Sequence, residues 1–83
     1  MTARFWGDLK SSDFATLSPD RTVAVLPLAA IEQHGPHLPV SVDTTVMNGM
    51  LALAMPQVPA GLNVLVLPTL AICKSNEHLH SPG

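Results

Sequence analysis

From Thr44 to Cys73 the chain contains no aspartate, glutamate, lysine or arginine. So long an uncharged stretch cannot serve as an ordinary water-facing surface; it has to be packed or covered. It does not read as a membrane span. Pro56, Pro59, Gly61, Asn63 and Pro68 interrupt it, and no run of about 18 apolar residues survives, the minimum for crossing a bilayer. What remains is the interior of an α/β fold. Thr22–Leu28 is a nearly continuous aliphatic and β-branched run, the pattern of a parallel strand buried on both faces. Pro27 lies near its end, where a missing N–H is tolerable. The next element reads as a helix over Thr44–Met55, capped by Asp43 or Ser41 and stopped by Pro56. Apolar residues surround most of its circumference, so burial on several sides is expected, with Met47, Met50 and Met55 in the core. After Gly61, Asn63–Leu67 reads as a second buried strand. Strand, helix and strand joined by one crossover form a βαβ unit, right-handed by strong precedent. Upstream, Ser11–Leu17 reads as a short helix ending before Pro19, and Phe5 and Trp6 as packing or subunit-contact residues.

Two parallel strands and one main helix do not close a fold, because both strands keep unpaired edges and both sheet faces need covering. Composition points the same way. Of the 83 residues, 47% are hydrophobic and only 12% charged, where about a quarter charged is usual for a domain that covers its own surface. The expectation is therefore a piece of a larger doubly wound α/β domain. A net charge of −2 gives no reason to expect nucleic acid or an anionic membrane as partner. Residues 1–8 do not resemble a signal peptide, since no apolar segment follows Arg4. A single cysteine, Cys73, forms no internal disulfide and reads as a small buried or half-buried residue; a cytoplasmic protein is the default. No glycine-rich phosphate loop follows either strand, which sets nucleotide binding low.

The chemistry is concentrated in Ala30-Ile31-Glu32-Gln33-His34-Gly35-Pro36-His37-Leu38-Pro39, with Asp43 eleven residues beyond Glu32. Glu32 and His34 are two apart, so in extended backbone they leave the same face and can converge. Asp43 can swing in from the start of the next helix. Oxygen, nitrogen and oxygen together suit a divalent cation such as zinc, manganese or iron(II). The bland alternatives are a solvated loop carboxylate, an ordinary loop histidine and, for Asp43, a helix cap; capping and ligation can coexist on two carboxylate oxygens. Gln33 is expected to anchor the backbone, and Gly35-Pro36 to set the turn by which the loop returns. Both loops that leave the carboxyl ends of the strands should gather their polar residues on one rim, where open α/β sheets bind ligands.

These residues resemble the N-terminal motif of the creatininase (creatinine amidohydrolase) family. Val23-Ala24-Val25-Leu26-Pro27-Leu28 resembles its first core strand, and Lys74–Gly83 its Ser-x-Glu-His…Pro-Gly segment, so the resemblance covers residues 5–83. It implies that 1–83 is the N-terminal part of a single creatininase-like domain with a three-layer αβα fold. It also implies a metal-dependent hydrolase of a non-peptide or small amide or formamide C–N bond, often hexameric when complete. In that family two divalent ions are held together, the counterpart of Asp43 bridging them and those of Glu32 and His34 holding one each. The counterpart of His37 is not a ligand, which leaves His37 at most a supporting role beside the metals. Ser75 roughly matches a substrate-touching serine. Glu77 and His78 read as substrate contacts or as support for the metals, against a plain surface loop that would also include His80. Creatinine-hydrolysing members lack this Glu-His pair, which argues against creatinine as substrate. The family's remaining ligands and its acid/base have no counterpart within residues 1–83, so this chain alone is expected to be inactive or nearly so. The competing expectation is a catalytically inactive fragment that acts as an assembly or interaction module.

Overall fold

The computed structural model describes residues 3–83. Three short parallel strands form one sheet in the order β1-β3-β2, with β1 at Ala3–Phe5, β2 at Thr22–Val25 and β3 at Asn63–Val66. Two α-helices accompany them, α1 at Ser11–Phe14 and α2 at Val42–Ala54. The fold is α/β, a small parallel sheet with helices, as the pattern of elements predicts.

The βαβ unit forms as the hydrophobic pattern predicts. β2 and β3 lie side by side with Thr22 opposite Asn63 and Val25 opposite Val66, and α2 connects them. Their pairing continues past the regular strands. Leu67 N–H donates to the Val25 carbonyl at 2.8 Å, Leu70 N–H to that of Pro27 at 2.9 Å, and Ala29 N–H to that of Leu70 at 2.9 Å. Pro27 has no N–H to give, but its carbonyl serves the ladder, which is why a proline is accommodated here.

β1 is the element that sequence patterning missed. It pairs with the other edge of β3, Ala3 opposite Val64 and Phe5 opposite Val66. The expected sheet of two strands therefore gives way to three, and β3 has no free edge. That central position explains why Leu65 and Val66 are almost completely buried, at 1% and 2% exposure. Trp6 packs against Phe14 of α1, ring centroids 4.8 Å apart. α1 is shorter than expected. Asp13 Oδ2 accepts the Lys10 N–H at 2.8 Å, and the chain beyond Phe14 continues as turns, with the Thr16 and Leu17 N–H groups bonding three residues back.

Burial corrects two further expectations. β2 was expected to be covered on both faces, yet Val23, Leu26 and Leu28 are exposed. α2 was expected to be buried on several sides, yet none of its residues is buried; Met50 and Leu53 are 59% and 73% exposed, so Met50 is not a core residue, while Met47 and Met55 are half-buried. The physical reason is the same in both cases. A second covered face needs a second layer, and among the described residues no element lies over these surfaces. The chain is accordingly elongated, 49 × 22 × 19 Å, with a radius of gyration of 16.1 Å, against about 12 Å for a compact domain of this length. No helix of the described residues is long and apolar enough to cross a membrane.

Candidate metal centre

Leu28 pairs with Leu70 beyond the ends of β2 and β3. The two connections that follow therefore start side by side on one rim. The first doubles back on itself. Gly35 sits at φ +76°, a backbone conformation that side chains disfavour, and lets His34 bridge antiparallel to Leu38 while Glu32 N–H reaches the Val40 carbonyl at 3.1 Å. The returning chain enters α2. Ser41 holds the N-cap position without a side-chain cap bond, so Asp43, inside the first turn, is not used as a cap. The helix amide dipoles favour a negative charge there. Thr44 Oγ1 donates to the Ala30 carbonyl at 3.1 Å and ties the start of α2 to the loop.

Glu32, His34 and Asp43 are brought together, each offering one atom, all within 4.8 Å of one another. The hydrogen bonding of His34 gives this cluster its chemical character. Nδ1 lies 3.0 Å from the Glu32 backbone carbonyl, an oxygen that can only accept, so Nδ1 carries a proton. Nε2 faces Asp43 Oδ1 at 3.1 Å. In the neutral ring this sets a nitrogen lone pair against a carboxylate oxygen, an arrangement that calls for a cation between them. A proton meets that need, and the pKa of His34 is raised accordingly: the bond to the Glu32 backbone is the largest cause, the Asp43 and Glu32 carboxylates add to it, and desolvation opposes it. A divalent metal ion meets the same need, since an Nδ1–H bonded to a carbonyl is the usual way a protein presents Nε2 to a metal.

The second connection supplies a neighbouring group. Glu32, Glu77 and His78 also place one atom each within 4.8 Å of one another, with His78 Nε2 at 3.6 Å from Glu32 Oε2 and 3.9 Å from Glu77 Oε1. Glu32 belongs to both groups. Gln33 anchors the backbone as expected, its Oε1 accepting the Gly35 N–H at 3.0 Å. It also reaches His78 Nδ1 at 2.8 Å, a contact that patterning missed because 45 residues separate the partners. Ser75 is half-buried at the start of the turn Asn76–His78. His37 is exposed beside Gly35 and His80 is exposed; neither belongs to the two groups. Cys73, expected to be buried or half-buried, is exposed, with Sγ 3.5 Å from the Ala29 carbonyl. An open, mostly apolar groove of about 400 Å³, lined by Leu28, Val46, Met47 and Met50 among others, runs up to Asp43.

An open parallel sheet with a carboxylate–imidazole–carboxylate cluster at the carboxyl rim of its strands defines an α/β protein with a candidate metal centre. The chain belongs to the creatininase family, whose model, described as creatinine amidohydrolase, matches residues 7–83. Among curated relatives, the mycofactocin precursor peptide peptidase of Mycolicibacterium smegmatis is 35% identical over 63 residues, which is 74% of this chain and 26% of that protein. The Mycobacterium tuberculosis protein of the same name is 31% identical over 83 aligned residues, 93% of this chain and 33% of that one. The chain thus spans about a quarter to a third of the length of these relatives. No solved structure matches it significantly.

Proposed function

We propose that this chain carries part of the divalent-metal centre of an enzyme that hydrolyses an amide C–N bond, with Glu32, His34 and Asp43 as ligands. One observation carries the reading: His34 Nε2 and Asp43 Oδ1 face each other at 3.1 Å, a pairing that a proton or a metal ion can bridge, with the Glu32 carboxylate in reach. The donor set suits zinc, manganese or iron(II), and family resemblance makes it two ions. Bound there, such ions polarise an amide carbonyl and lower the pKa of water towards neutrality, so that hydroxide is available. The chain's own part is to hold and orient. The carbonyl of Glu32 fixes the His34 ring, α2 presents Asp43, and the rim brings Ser75, Glu77 and His78 to the substrate side, with His37 supporting the ligand loop. A ligating carboxylate is not free to shuttle protons, so the acid/base is assigned outside residues 1–83, and the isolated chain should show little or no turnover. On this reading, residues 1–83 are the N-terminal part of one amidohydrolase domain, cytoplasmic and homo-oligomeric when whole.

The curated relatives are named as peptidases of a precursor peptide. That favours a peptide amide over the small amide or formamide expected from the motif, which stands second. The test is the metal content of the purified chain beside Asp43→Ala. One or two equivalents of zinc, manganese or iron, lost in the variant, support the centre; a chain that stays metal-free at micromolar metal sinks it.

A different reading rests on the exposed apolar faces of β2 and α2, which suit an assembly module without catalysis. Size-exclusion chromatography tests it, because a monomer at all concentrations counts against assembly, while the metal content tests the enzyme reading.

A further inference from the structure

Gln33 lies between two of the proposed ligands, and its side chain contacts His78, whose Nε2 lies 3.6 Å from Glu32 Oε2. The Gly35 N–H donates to Gln33 Oε1 at 3.0 Å. With the oxygen committed there, the amide nitrogen is the end that faces His78 Nδ1, at 2.8 Å. An amide nitrogen only donates, so Nδ1 accepts and the neutral ring carries its proton on Nε2. That N–H faces the Glu32 carboxylate, Nε2 to Oε2 3.6 Å, and more distantly that of Glu77, whose side chain is mostly exposed. The first distance is just beyond hydrogen-bonding length. Contacts of this kind are commonly long in unliganded sites and tighten when the site is filled.

We infer that Gln33 and His78 are positioning residues for Glu32: Gln33 selects the Nε2–H tautomer of His78, and His78 steadies one oxygen of the Glu32 carboxylate so that the other remains for an ion. The inference rests on the reading of Glu32 as a metal ligand. It also decides what the group Glu32–Glu77–His78 is. Read by proximity alone, that group is a second cation site. With Nδ1 occupied by Gln33 and Nε2 protonated, His78 has no lone pair left to ligate. The relay therefore replaces substrate contact as the role of His78. It also ties the loop after β2 to the loop after β3, so the carboxylate is held from a part of the chain distant from it in sequence. Groups that orient metal ligands in this way commonly contribute 10- to 100-fold in metal affinity.

Two measurements on the 83-residue chain test this. Long-range proton–nitrogen correlation of the His78 ring in the parent should show Nε2 protonated and Nδ1 bare, with that preference lost in Gln33→Met. Zinc affinity, read by competition with a chromogenic chelator, should fall about 10- to 100-fold in His78→Ala and in Gln33→Met. It should be largely restored in His78→Gln, whose amide can still donate to Glu32. A parent His78 protonated on Nδ1, or a tautomer unchanged in Gln33→Met, overturns the relay, and the parent spectrum needs no variant to fold. Unchanged zinc affinity in His78→Ala, with zinc lost in Glu32→Ala, also overturns it while leaving the metal centre standing. A parent that binds no zinc overturns both readings together.

Discussion

On the proposed reading, His34 is the residue on which a proton and a metal ion would compete. Its ring is held by the Glu32 carbonyl at Nδ1 and faces Asp43 at Nε2, and its pKa is raised by those contacts. The sign of the consequence follows. In the metal-free chain the protonated ring is the form the fold favours, so its stabilisation is complete below the ordinary imidazole value, about 6.5, and is lost as pH rises through the higher folded-state value. Urea unfolding without metal should show this pH dependence, and His34→Gln should flatten it. Zinc binding runs the other way, because the ion needs the lone pair that the proton occupies. Zinc affinity should fall as pH is lowered, with the fall beginning above pH 6.5; an affinity independent of pH between 6 and 8 would contradict ligation by His34. The residue identities of this cluster were legible in the motif. The tautomer of His34 was not, since it depends on a backbone carbonyl that only the folded loop brings to Nδ1.

At the scale of elements, α2 and the β2–α2–β3 order were legible because apolar periodicity, Pro56 and Gly61 all point to the same arrangement. β1 was not. Three residues, one of them Arg4, carry no alternation to detect, and their pairing partner lies some sixty positions away in β3. Two glycines make opposite predictions here. A Cβ on Gly49, inside α2, would meet nothing within 4 Å, so Gly49→Ala should stabilise the chain by about 0.5–1 kcal/mol through helix propensity and a less free unfolded state. Gly61 sits at φ +89°, and a Cβ there would come 3.2 Å from Arg21 Nη2, whose Nε donates to the Gly61 carbonyl at 2.6 Å. Gly61→Ala should destabilise by about 1 kcal/mol or more. Denaturant midpoints of the two variants check both signs in one experiment.

For the molecule as a whole, the buried apolar side chains among the described residues are few, Pro27, Ala30, Leu65 and Val66, and the surface keeps the apolar faces of α2 and β2. A core this small leaves little reserve. Leu65→Ala should cost about 2–4 kcal/mol and leave the chain largely unfolded by far-UV circular dichroism at room temperature. Exposed side chains such as Leu53 and Ile72 should drive concentration-dependent association. Leu53→Lys combined with Ile72→Lys should shift the chain towards monomer in analytical ultracentrifugation without loss of helical signal.

The order of strand and helix, and the carboxylate–imidazole–carboxylate donor set, follow from the sequence by itself, because periodicity and residue chemistry are local properties. Burial was decided only in three dimensions. A run such as Val23–Leu28 states that it can be covered, not that a covering layer lies over it. The contacts Gln33–His78 and His34–Asp43 are likewise tertiary, because hydrogen bonds across 45 and 9 residues exist only once the rim of the parallel sheet sets the two loops and the first turn of α2 side by side.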